Sequence, residues 1–222
     1  QLPKTNFEIV CAIDFDADAV GVYNANKNYF GRHECIQRDV KDFSKEEIPD
    51  YDVLLAGFPC QPFSNAGNRE GVNDKNGRGT LFYECERFLL SKKNANGGMP
   101  KAFVFENVRG IMSSRMPNGN TIPEEIKKRT KEIGYNCTYR LLKASNFGVP
   151  QNRLRCIMIG VREDLPEFDF AALDEIVTKY NLPNSKNDPY ELYLGSILCD
   201  IPSSASHIND VWQYSPSGQR MI

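Results

Sequence analysis

The chain has 222 residues, 41% apolar and 25% charged, which is ordinary for a globular protein and enough for one full domain and the start of another. No stretch approaches the roughly 20 apolar residues that span a bilayer, and a net charge of −2 does not advertise a nucleic-acid partner, although phosphate contact needs only a local basic patch. Seven cysteines stand singly at 11, 35, 60, 85, 137, 156 and 199 beside two histidines, so neither a zinc site nor a disulfide framework is expected and a reducing cytosol is.

No secretory signal precedes the first strand-like run, and Gln1 in place of an initiator Met leads us to expect a native start upstream. In chain order, strands are predicted over 7–13, more weakly over 34–38, then over 51–56, 102–105, 137–142 and 156–161. Helices are predicted over 17–28, 81–93 and 122–133. The last has the clearest boundaries: Thr121 and Glu124 form a capping-box pattern, Pro123 sits in the first turn and Gly134 follows the end. This alternation points to an open, mainly parallel α/β sheet covered by helices. The short link between the last two strands leaves no room for a crossover helix, so they are expected to be an antiparallel pair. From Leu165 onward the chain is richer in Pro, Ser and Asn and loses clear periodicity. Residues 1–164 are read as one domain, and 165–222 as a linker into a second region.

Ligands of open α/β sheets sit beyond the carboxyl ends of the strands. Four predicted strands there deliver Asp14, Asp39, Cys60 and Glu106. Any one of these could be a surface residue or a cap; four together point to a site. Cys60 follows Gly57 and Pro59 and precedes Gln61-Pro62, a turn that holds a side chain out. A thiol there is either an inert core residue or, with its pKa pulled below the free value of about 8.5, a nucleophile. Glu106 follows the apolar Ala102-Phe103-Val104-Phe105. It is a cap, a salt-bridge partner, or a carboxyl whose pKa is raised by apolar surroundings so that it can hold a proton. Arg153 and Arg155 alternate at the start of a strand and are expected on one face, as a solvated edge or as paired cations near a carbonyl or phosphate. Asp14 suits a ribose diol, and Phe15 could lie against an adenine face.

Read in order, CAIDFDADAVGVY (11–23), DV (39–40), GFPCQPFSNAG (57–67), RGTLF (78–82), FENVRG (105–110) and FGVPQNRLRCIMIG (147–160) resemble successive motifs of the DNA cytosine-5 methyltransferases. The resemblance covers roughly residues 7–162. It implies a Rossmann-like sheet of the S-adenosylmethionine-dependent methyltransferase type, with S-adenosylmethionine as cofactor and double-stranded DNA as partner, in the cytoplasm or on the nucleoid of a bacterium. By the same resemblance Asp14 binds the cofactor ribose, Phe15 covers the adenine, Asp39 and Val40 read the adenine edge, and Pro59 and Leu81 add contacts. Cys60 adds to carbon 6 of a flipped cytosine, Glu106 binds ring nitrogen 3 and the exocyclic amine, Arg155 contacts the base carbonyl and Arg153 supports the site. Gln61 to Gly79 matches the mobile catalytic loop. Gln61, Ser64 and Asn107 are assigned to the substrate, as are Arg69 and Arg78, which with Lys75 could meet phosphates.

The resemblance makes 165–222 a linker and the start of the target-recognition region, and it also predicts elements that the chain does not show: a Gly-rich strand-turn before Phe7, the rest of the target-recognition region and two late motifs. The family's first strand lies between the strands at 7–13 and 51–56, which therefore should not be neighbours. The expectation is that these residues alone are not a competent enzyme and that the missing motifs come from the rest of a longer chain or from another polypeptide. Three rival readings remain: the same chemistry on transfer RNA, a non-catalytic binding module of this fold, and an unrelated cysteine hydrolase. The hydrolase would need a histidine base, and neither His33 nor His207 lies near a predicted strand end.

Overall fold

A computed structural model of the chain describes residues 7–29, 33–59, 81–91, 99–116, 119–147, 149 and 151–179. The chain divides into two compact units, Gln1–Leu142 with Leu154–Ile176, and Lys143–Arg153 with Val177–Ile222. No helix among the described residues is long and apolar enough to cross a membrane.

Among the described residues the larger unit is built from β1 (Ala12–Asp14), α1 (Ala17–Ala25), β2 (Cys35–Gln37), β3 (Val53–Gly57), α2 (Leu81–Ser91), β4 (Ala102–Val108), α3 (Ile122–Glu132), all but the last residue of β5 (Tyr135–Lys143), β6 (Leu154–Arg162) and most of α4 (Ala171–Lys179). Local sequence explains several boundaries. Asp16 caps α1 by accepting from the Ala19 N–H. The Thr121 hydroxyl and the Glu124 carboxylate form the expected capping box on α3. Gly134 ends α3 at φ +89, a backbone angle that a side chain would resist.

The strands form two sheets, β1-β2 and β3-β4-β6-β5. The β1–β2 and β3–β4 pairs are parallel, whereas β6 runs antiparallel to β4. β1 and β3 are not neighbours, as the resemblance leads one to expect. On β4, Phe103, Phe105 and Asn107 alternate into the core. They lie opposite Gly160, Met158 and Cys156 of β6. Gly160 has a packing reason: a Cβ there would stand 2.0 Å from the Phe103 ring. Phe103 stacks on Phe105 with centroids 4.3 Å apart, and Phe58 meets Phe105 edge-on at 5.6 Å. These rings, with Phe82, Leu89, Ile122, Ile126 and Tyr135, form the main core. A second cluster of Phe43, Ile48 and Phe88 takes in Ile13 from β1 and Leu54 from β3.

Two expectations need correction. The apolar run 7–13 yields a strand of only three residues, because its partner β2 is itself only three residues long; Phe7 remains 78% exposed. The segment after Leu165, expected to be irregular, contains α4. Asp169 accepts from the Ala171 N–H at its start, and Arg140 pairs with Asp174 at 3.0 Å. Helix-forming residues and a cap were present, but the repeat Leu173, Ile176, Val177 is too short to stand out.

In the second unit, residues 144–147 form a short 3-10 turn, and the Ala144 N–H donates to the Arg153 carbonyl at 2.8 Å.

Candidate active site

The strand ends collect the candidate residues in two groups. In the first, Asp14 is the last residue of β1, opposite Gln37 of β2. One oxygen of its carboxylate accepts from the Asp16 N–H at 2.9 Å, which fixes the side chain at the strand end. Phe15 follows, 73% exposed although it is aromatic. Two residues past β2, Asp39 caps a 3-10 turn over Val40–Asp42 by accepting from the Lys41 N–H at 3.0 Å. Two arginines grip this turn. Arg38 lies over the Phe43 ring, donates to the Asp42 carbonyl and pairs with Glu47 at 2.7 Å. Arg87 reaches the turn from α2. Neither stood out in the sequence, because each is one cation in a mixed-charge stretch.

In the second group, β3 and β4 lie side by side with Gly57 opposite Glu106. A Cβ at Gly57 would come 3.8 Å from Glu106 Oε2, an ordinary contact, so the register sets this strand end beside the carboxylate. Past Gly57, the buried Phe58 carbonyl accepts from Asn107 Nδ2 at 2.8 Å. Asn107 Oδ1 accepts from the Val108 N–H at 2.9 Å, and the residue is only 2% exposed. Both halves of this amide, which the sequence assigned to substrate, are thus committed to backbone. Pro59 is exposed at the end of the described segment. Cys60 comes next and lies outside the described residues, as do Gln61, Ser64, Arg69, Lys75 and Arg78.

The surroundings of Glu106 differ from the apolar setting expected. Its side chain is 45% exposed, and Arg155 Nε stands 2.6 Å away. The contact is an ion pair without hydrogen-bond alignment: Arg155 Nε is buried and makes no hydrogen bond among the described residues, while Nη1 donates to the Leu154 carbonyl. Arg155 lies on β6 opposite Val108, diagonal to Glu106. Arg153 precedes the strand, exposed, in the second unit. Leu81 opens α2 and packs on the main core.

Several of the other thiols are poor nucleophiles. Burial pushes Cys85 and Cys137 up to about 12, and it also raises Cys11 and Cys35, the latter with help from the Asp14 charge.

A family model described as C-5 cytosine-specific DNA methylase matches residues 1–219. The Type II methyltransferase M.BanI of Aneurinibacillus aneurinilyticus is 36% identical over 209 residues, which is 91% of this chain and 44% of that protein. M.BsuFI of Bacillus subtilis is 39% identical over 162 residues, 73% of this chain and 36% of that protein. Among solved structures, the Dnmt2 methyltransferase of S. pombe superposes with a TM-score of 0.57 at 24% identity, covering 76% of this chain and 47% of that one, a likeness of fold. The chain therefore spans less than half the length of these relatives.

Proposed function

Because the chain belongs to the C-5 cytosine-specific DNA methylase family, we propose that it carries the catalytic centre for methyl transfer to carbon 5 of cytosine in DNA, with Cys60 as nucleophile. The observation that carries this reading is the junction of β3 and β4. There Glu106 lies opposite Gly57, and Asn107 holds the Phe58 carbonyl two residues before Cys60.

The first group of residues fits S-adenosylmethionine by the chemistry of its donors. Asp14 is a carboxylate suited to a ribose diol, Phe15 an uncovered ring suited to a purine face, and Asp39 with Val40 a polar and apolar pair suited to the adenine edge; Pro59 and Leu81 are assigned further contacts by the resemblance. When bound, the cofactor supplies an electrophilic methyl group on a sulfonium.

The residues of the chain do the rest. Carbon 5 of cytosine is a poor nucleophile because the ring is aromatic. The Cys60 thiolate adds to carbon 6, which breaks the aromaticity and leaves carbon 5 enamine-like. Glu106 holds ring nitrogen 3 and the exocyclic amine, favouring that addition, and Arg155 binds the base carbonyl, where charge gathers. Their ion pair keeps the two side chains together before the base arrives. Arg153 is assigned a supporting role by the resemblance alone. After transfer, loss of the carbon 5 proton and expulsion of the thiolate restore the ring. Asn107 is assigned to holding the approach to Cys60 rather than to touching the base. The base leaves the duplex to be reached, at a cost of a few kcal/mol. The segment 61–79, with Gln61 and Ser64, closes over it, and Arg69 and Arg78 meet phosphates.

The test is transfer of labelled methyl from S-adenosylmethionine by the full-length protein, with duplex DNA and transfer RNA offered separately. The expected product is 5-methylcytosine in DNA, absent with Cys60→Ala. Label in transfer RNA alone would contradict the substrate, and label in DNA with Cys60→Ala would contradict the nucleophile.

A further inference from the structure

All three nitrogens of the half-buried Arg87 fork have partners within the protein. Nε pairs with Glu84 one turn earlier on α2 at 2.7 Å. Nη1 donates to the Phe43 carbonyl and Nη2 to the Val40 carbonyl, each at 2.9 Å. The guanidinium also lies 5.0 Å from the Phe88 ring. These two carbonyls bracket the turn that Asp39 caps.

The turn is weakly held by its own bonds. A 3-10 turn of three residues has poor hydrogen-bond geometry. Here the Asp42 N–H reaches the Asp39 carbonyl at 3.0 Å, but the Phe43 N–H reaches the Val40 carbonyl only at 3.4 Å. Arg38 braces the same segment from within it, over nine residues. Arg87 is the tie from a distant element, 44 and 47 residues away in sequence. A planar fork of fixed geometry can span two carbonyls; a lysine ammonium cannot hold both in the same way. The same helix begins at Leu81, so α2 joins two places assigned to the cofactor.

We propose that Arg87 is a positioning residue for cofactor binding: it fixes the Val40–Phe43 backbone against α2, so that Asp39 and Val40 meet adenine without first being ordered. This rests on the reading of that turn as the adenine site. Preorganisation shows in affinity, because a loose turn must be ordered at the expense of binding. Arg87 touches no reacting atom, so its loss falls on KM for the cofactor rather than on kcat.

The experiment compares wild type, Arg87→Leu, Arg87→Lys and Asp39→Ala in the full-length protein. Binding of S-adenosylhomocysteine is measured by calorimetry, and backbone amide exchange is followed in parallel. Arg87→Leu is expected to bind about tenfold more weakly, which is about 1.4 kcal/mol. Arg87→Lys, the milder change should the leucine variant fail to fold, should lose part of that affinity. In both, amides 41–43 should exchange faster while β4 and β6 keep their protection. Wild-type affinity in both Arg87 variants alongside a weakened Asp39→Ala would overturn the role of Arg87. So would faster exchange spread evenly over the sheet. Wild-type affinity in Asp39→Ala would instead remove the adenine site on which the inference stands.

Discussion

Asn107, assigned to substrate by its motif, makes its hydrogen bonds in the fold to backbone. In the sequence it stands between Glu106 and Val108 in a run that reads as substrate contact. In the fold it is buried, and its amide joins the Phe58 carbonyl to the Val108 N–H. The sequence could not show this, because Phe58 lies 49 residues away and the two meet only through the β3–β4 register. Asn107→Ala would leave a buried carbonyl unpaired, a loss of about 1–3 kcal/mol. Asn107→Asp would keep the size but set an acceptor against an acceptor. Both variants are expected to unfold at lower urea and to lose kcat more than cofactor affinity. Wild-type kcat in Asn107→Asp would show that this bond does not hold the approach to Cys60. Glu106 carries a related lesson. The apolar run before it was legible, but Arg155 beside it depends on the antiparallel register of β4 and β6.

At the scale of elements, strongly patterned pieces were legible and short ones were not. The capping box of α3 and the alternation on β4 could be read directly, because each is encoded within a few residues. β1 was over-read, since the length of a strand is set by its partner. α4 was missed, since nine residues give little periodicity. The turn at Val40–Asp42 was visible only as Asp39 after a weak strand, yet its bracing is testable. Donation from Arg38, and then from the Ser44 N–H, holds the Glu47 carboxyl down to about 2. A carboxyl lowered in the fold adds stability that is fully present above its unfolded value of about 4.3 and is lost as pH falls towards the folded one. Glu47→Gln should therefore melt below wild type at about pH 7, and the two should converge as pH approaches about 2. A gap that stays constant across that range would mean that the Arg38 pair contributes nothing; the pair is exposed, so the gap itself should be small.

At the scale of the whole molecule, one helix and one strand tie the parts together. α2 sends Phe82 and Leu89 into the main core and Phe88 into the second cluster, and Leu54 of β3 packs against both. Among the described residues the two sheets thus share packing without pairing as strands, and the proposed chemistry divides between them: Asp14, Asp39 and Val40 lie at the ends of β1 and β2, Glu106 and Arg155 on β4 and β6, while Pro59 and Leu81, also assigned to the cofactor, follow β3 and open α2. The strand ends were legible as a set because an α/β sheet gathers ligands there. The partition between two sheets became legible only through the resemblance. In the proposed mechanism Cys60 forms a covalent bond with cytosine. Duplex DNA carrying 5-fluorocytosine tests it most directly, because fluorine blocks the loss of a proton from carbon 5 and so prevents expulsion of the thiolate. With S-adenosylmethionine present, the full-length protein should give a complex that survives denaturation. Glu106→Gln should form it more slowly, and Cys60→Ala should form none; a denaturation-resistant complex with Cys60→Ala would contradict the account.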